Sequence, residues 1–232
     1  MKSFALVFGI ASLIATTAGF PAHASLHIYT SKSEFLTATS STDVTGALPN
    51  LGFRGTTPIT LGSIRIGGVS PFWVGAKGSG VTSDWTTLLP GNDIAFDGKE
   101  QFNVVTAAPV YALGFDVVEP SFGGWSDGCG TVVCIDSTFN VTLLNSAGAV
   151  VDSFTFNPPN DVAAFIGVSS TSPFTTLQVR EIIGGIENEY FGHFYTSGAA
   201  PVAAVSEPGQ GALLLCGLAA VAGIARRRQP MA

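Results

Sequence analysis

Carboxylates are the most abundant reactive groups in this chain, with 16 Asp and Glu against 10 Lys and Arg and three histidines. Two pairings could serve general acid–base chemistry on a glycoside. Glu187 and Glu189 share a face if their stretch is extended, and Asp116 and Glu119 end another predicted strand. No supporting motif accompanies either pair: there is no G-x-S-x-G elbow, no H-E-x-x-H and no phosphate loop. His27 lies near the start of the body and His193 in a predicted strand, so a Ser–His–Asp arrangement has few candidates. Exposed acids are far more often solvated surface than a catalytic pair, and the expectation is a protein that is not an enzyme.

Oxygen-rich loops suit hard cations, and Asp93, Asp97, Asp127, Asp136, Glu187 and Glu189 lie in or beside loops. They make a structural calcium site a candidate, but none follows an EF-hand pattern, so its metal ligands stay unknown and no cofactor is expected. Trp73, Trp85 and Trp125 occur in Gly/Ser-rich surroundings, where a flat indole face can stack on a sugar ring. Core packing is the default role of each tryptophan. Trp125, between Gly124 and Ser126, is the best candidate for exposure. The pair Cys129 and Cys134 sits in a Gly-rich polar loop, where a six-residue disulfide ring would contribute about 2 kcal/mol and suit an oxidising compartment. Cys-x4-Cys without a second ligand pair is a poor zinc site.

The elements that must position these residues read as β. The 28 glycines and 13 prolines punctuate short runs of Val, Ile, Thr and Phe. Tyr111, Leu113, Phe115 and Val117 alternate with Ala112, Gly114, Asp116 and Val118. Strands at 139–143 and around 150–156 flank Asn145-Ser146-Ala147-Gly148, the clearest hairpin. Further strands are expected at 60–66, 72–74, 93–96, 102–106, 163–168, 174–180 and 190–195. The only helical signal is Ser31-Lys32-Ser33-Glu34, a capping-box pattern that predicts a helix over 32–39. About ten short strands without helical crossovers predict an all-β fold, an antiparallel two-sheet β-sandwich of jelly-roll-like type, over residues 25–197. Between Ser25 and Val205 there are six basic and fifteen acidic residues, a net charge of −9. Without clustered Lys and Arg, nucleic acid is not an expected partner.

Both ends read as targeting segments. Lys2, the apolar stretch Phe4 to Ala18, and Ala22 and Ala24 in an A-x-A pattern predict a signal helix cleaved before Ser25. A small, uncharged linker, 198–205, leads to Ser206-Glu207-Pro208, an apolar run over 211–225, and Arg226, Arg227 and Arg228. As a transmembrane helix that run spans about 22 Å, short of a hydrocarbon core of about 30 Å. The arginines would hold the C-terminus on the cytoplasmic side. Glu207-Pro208, the short apolar helix and the arginine cluster, in this order over 206–228, resemble a PEP-CTERM sorting signal, with Ser206 where the family has its first proline. The resemblance implies export by a Gram-negative bacterium that makes exopolysaccharide. It further implies a transient hold in the inner membrane, cleavage by an exosortase that recognises Glu207 and Pro208, and release to the cell surface or extracellular matrix. The stretches 109–116, 164–168 and 189–194 resemble the β-sandwich body of many such proteins. A non-enzymatic surface or exopolysaccharide-associated role is the leading expectation. A glycan-binding module and a carbohydrate-active enzyme are the alternatives.

Overall fold

The computed structural model describes residues 25–75, 89, 91–96, 98–120, 135–184 and 189–201. Both segments expected to act in targeting, and Cys129, Cys134, Trp85, Trp125, Asp97, Asp127 and Glu187, lie outside these residues. Among the described residues no helix is long and apolar enough to cross a membrane.

The chain is antiparallel β with one helix. In order, the elements are β1 (Leu26–Tyr29), α1 (Lys32–Thr39), β2 (Thr42–Asp43), β3 (Gly52–Gly55), β4 (Ile59–Leu61), β5 (Ile64–Gly68), β6 (Phe72–Val74) and β7 (Ile94–Phe96). Then follow β8 (Gln101–Val118), β9 (Thr138–Leu144), β10 (Val150–Phe156), β11 (Ala163–Ile183) and β12 (Tyr190–Ser197). The helix begins where the capping box places it: Ser31, in extended backbone, accepts the Glu34 amide at 3.3 Å. It ends at Ser40, whose φ of 53° is left-handed. The hairpin β9–β10 is closed by Asn145, whose Oδ1 accepts the amides of Ala147 and Ala149.

All twelve strands are hydrogen-bonded into one sheet rather than two. The reason lies in β8 and β11, which run through segments that look broken in sequence. The predicted strands 102–106 and 111–118 fuse into β8 across Ala107-Ala108-Pro109. Those at 163–168 and 174–180 fuse into β11 across Thr171-Ser172-Pro173. Each long strand serves two arms. In one arm, Gln101–Val105 of β8 pairs Thr176–Arg180 of β11, with β5 and β4 on one side and β9 and β10 on the other. In the other, Ala112–Val118 pairs Ala163–Ser169, flanked by β1 on one side and by β12, β7, β6 and β3 on the other. The β8–β11 register shifts between Ser169 and Thr176, where the arms meet. Strands that pass from one layer to the next at such bends are how orthogonally packed sheets turn a corner.

The arms close on a phenylalanine core, consistent with an all-β sandwich. Phe102 of the first arm lies 4.8 Å, centroid to centroid, from Phe191 of the second, and Phe115 lies 6.2 Å from Phe156. Phe96 stacks on Phe102 at 4.7 Å. The alternation along 111–118 does not separate a buried from a solvated face, because Ala112, Asp116 and Val118 on the other face are buried too. The cover over part of that face is α1: Phe35 is fully buried and packs on Phe165 at 5.2 Å. Gly167 permits this, since a Cβ there would sit 2.6 Å from the Phe35 ring.

Candidate functional site

Strand alternation gives the second arm an outer face, opposite the core. Phe72 and Val74 point into the core, so Trp73 between them points out. Register then runs along one row: Phe53 faces Trp73, Trp73 faces Ala95, Ala95 faces Tyr190, Tyr190 faces Val118, and Val118 faces Ala163. Five strand spacings make this row about 24 Å long. Its middle is covered, because Ala95, Val118 and Tyr190 are buried and pack with Leu89. Its two ends are open.

At the first end Trp73 is half-buried and Phe53 is 58% exposed. Their rings lie 4.7 Å apart and tilted by 47°. Leu51, also exposed, extends the apolar surface. Of the three tryptophans singled out in sequence, Trp73 is the one among the described residues, and it stands on β6, next to the edge strand β3 that carries its aromatic neighbour. Phe53 was not singled out; its only sequence signal is an aromatic between two glycines, Gly52-Phe53-Arg54-Gly55.

At the second end a cavity of about 370 Å³ opens beside α1. Lys32 Nζ donates to both oxygens of Asp116, at 2.8 and 3.1 Å, and lies 4.7 Å over the Tyr195 ring. Tyr195 Oη donates to Asp116 Oδ2 at 3.2 Å. Desolvation by itself would lower the Lys32 pKa; the bonds to Asp116 and Tyr195 outweigh it and raise the pKa. For Tyr195, burial is the larger cause of a raised phenol pKa, and the Asp116 charge adds to it. A second cavity of about 200 Å³ shares Thr30, Ala163, Ala164 and Phe165 with the first.

Other candidate residues separate. Asp116 and Glu119 have different partners: Asp116 holds Lys32, whereas Glu119 Oε1 accepts the Ser137 amide. His193 Nδ1 lies 2.6 Å from Asp43 Oδ2. Burial would raise the Asp43 pKa, but the bonds from His193, Gly46 and Thr45 win and lower it. His27 packs edge-on against Tyr29.

A buried carboxyl cluster, mostly unread in the sequence, sits at one end of the core. Glu100 and Glu119 flank β8, whose 18 residues would span about 60 Å if straight. The fold brings both into one cluster with Ser137 and Glu189: the Ser137 amide donates to Glu119, and its hydroxyl donates to Glu189 at 2.5 Å. Glu189 N donates to Glu100 Oε1 at 3.4 Å, and Glu100 N donates to Glu181 Oε2 at 3.0 Å. All four glutamates are at most 4% exposed. Burial first, then the charge of Glu189 and the carboxyl contacts with Glu189 and Glu181, push Glu100 well above the usual glutamate range. A protonated carboxyl shared among these groups is the chemistry this arrangement supports. Of the acids weighed for calcium, Glu189 belongs to this cluster. Asp93, though buried, lies three residue steps, about 10 Å, further along the sheet. Asp136 is exposed and accepts from Asn157. Among the described residues no group of three or more His, Cys, Asp or Glu is arranged to hold a metal ion.

No protein-family profile matches the chain, and no curated protein matches it in sequence. Solved structures align to most of it at low similarity. A family 29 carbohydrate-binding module in complex with mannohexaose aligns over 70% of this chain and 94% of its own, at 13% identity and a TM-score of 0.32. A DUF4465 family protein from Bacteroides caccae aligns over 70% of this chain and 99% of its own, at 13% identity and a TM-score of 0.29. At such scores these likenesses carry no argument about function.

Proposed function

We propose that this is an exported, non-enzymatic β-sandwich protein of jelly-roll-like type whose body binds glycans. The observation that carries the reading is the Phe53–Trp73 pair, two tilted rings on the edge strand β3 and its neighbour β6, one exposed and one half-buried. Aromatic faces left outside a core that already buries Phe72, Phe96, Phe102 and Phe191 suit the apolar faces of sugar rings. Asp116 is neutralised by Lys32, and the glutamate cluster is buried.

Delivery follows from the two ends of the sequence. Their pattern supports passage across the inner membrane, recognition at Glu207 and Pro208 by an exosortase, and residence at the cell surface or in an exopolysaccharide matrix. Mass spectrometry of the mature protein tests this part: an N-terminus at Ser25 and loss of 211–225 are expected, and an intact C-terminal run refutes processing.

Retardation of the protein in gels containing soluble neutral polysaccharide tests binding. Trp73→Ala should weaken retention roughly tenfold and leave the melting temperature nearly unchanged. Equal retention of wild type and of a Trp73→Ala/Phe53→Ala variant would remove the platform from the proposal.

A further inference from the structure

The Lys32–Asp116 notch lies on the same outer face as Phe53 and Trp73, at the other end of the row. It is lined by Thr30, Lys32, Leu89, Asp116, Ala163 and Phe165, among other residues. Two features define what it can hold. First, donor and acceptor stand side by side. An ammonium has three protons; Asp116 takes two, Tyr195 shares the ammonium, and 37% of the Lys32 side chain remains exposed to a ligand. Asp116 Oδ2 accepts from Lys32 and Tyr195, whereas Oδ1 accepts only from Lys32 in the bonds described, which leaves it acceptor capacity. Adjacent hydroxyl groups on a sugar, each both donor and acceptor, match such a pair. Second, the notch is electrically balanced. The Lys32 charge is matched by Asp116 in direct contact, while the body around it carries a net charge of −9. An anionic ligand would meet a cation already paired, a neighbouring carboxylate and an unfavourable surrounding field.

We infer that this notch is a polar subsite for an uncharged sugar with adjacent hydroxyls, one accepting from Lys32 Nζ and the next donating to Asp116 Oδ1. The inference rests on the glycan-binding reading and adds the ligand class. Tyr195 and Phe165 hold the two side chains from beneath: Tyr195 bonds Asp116 and lies under Lys32, and Phe165 packs on Tyr195 at 6.0 Å.

Titration calorimetry on the full chain tests it with two probes of matched length, neutral manno-oligosaccharides and oligogalacturonate. Wild type should bind the neutral probe in preference to the anionic one. Lys32→Met should weaken neutral binding by about tenfold. Asp116→Asn, which leaves the ammonium uncompensated, should shift preference toward oligogalacturonate. Lys32→Arg keeps the charge and its pairing, and should retain neutral binding; it decides the matter if Lys32→Met does not fold by thermal melting. The subsite is overturned if wild type binds oligogalacturonate as tightly as the neutral probe. It is also overturned if Lys32→Met binds normally while Trp73→Ala does not, and in that case glycan binding itself stands. If wild type holds neither probe, both readings fall.

Discussion

Replacing Glu100 with Gln should change how stability depends on pH. Glu100 is 1% exposed and its carboxyl faces Glu181 and Glu189, with Glu119 joined to the same cluster through Ser137. Its folded pKa is raised, so between the unfolded and folded values the native state binds more protons than the unfolded chain. Stability must then fall as pH rises through that window. The contribution is complete below the ordinary glutamate pKa of about 4.3 and is lost as pH climbs through the raised value. One proton sets the limiting slope at about 1.4 kcal/mol per pH unit. Glutamine keeps the shape, offers an N–H where the protonated carboxyl has its O–H, and cannot ionise. We predict that the stability of Glu100→Gln relative to wild type, from urea unfolding between about pH 5 and pH 8, increases with pH at no more than that slope. Parallel curves, or a wild type that gains on the variant as pH rises, would refute the shared-proton account.

Two further substitutions probe how the outer face is built. In Gly167→Ala the new Cβ would lie 2.6 Å from Phe35 and 2.7 Å from Phe165. Denaturant unfolding should show a loss of about 1–3 kcal/mol, and an unchanged midpoint would mean that α1 shifts freely over the sheet. Ser31→Ala removes the side-chain acceptor for the Glu34 amide. It should cost about 1 kcal/mol and, because Lys32 opens the same helix, weaken neutral-sugar binding; stability loss with full binding would show that the cap does not position Lys32.

Local signals carried much of the fold. The helix over 32–39 and the β9–β10 hairpin were legible because capping and turn chemistry act between residues close in sequence. Continuity of β8 and β11 was not legible. Pro109 and Pro173 read as breaks because proline has no N–H to give a ladder. In the structure both prolines are exposed at the bends where each strand passes from one arm to the other.

The two ends of the row were legible to different degrees. Trp73 could be nominated by residue type alone, since an indole has a use wherever it is exposed. Lys32 and Asp116 are 84 positions apart in the chain and have no pattern in common. Asp116 read as a member of a carboxylate pair with Glu119 until register put the two in different company. The sequence by itself determined the β character, the helix over 32–39 and the acidic balance of the body, all sums of local preferences. Tertiary structure alone decided that Glu100 meets Glu189 and that Lys32 meets Asp116. The first contact exists because two long strands bend and close one arm on the other, and the second because α1 packs over the outer face of one arm; both are fixed by packing rather than by neighbours along the chain.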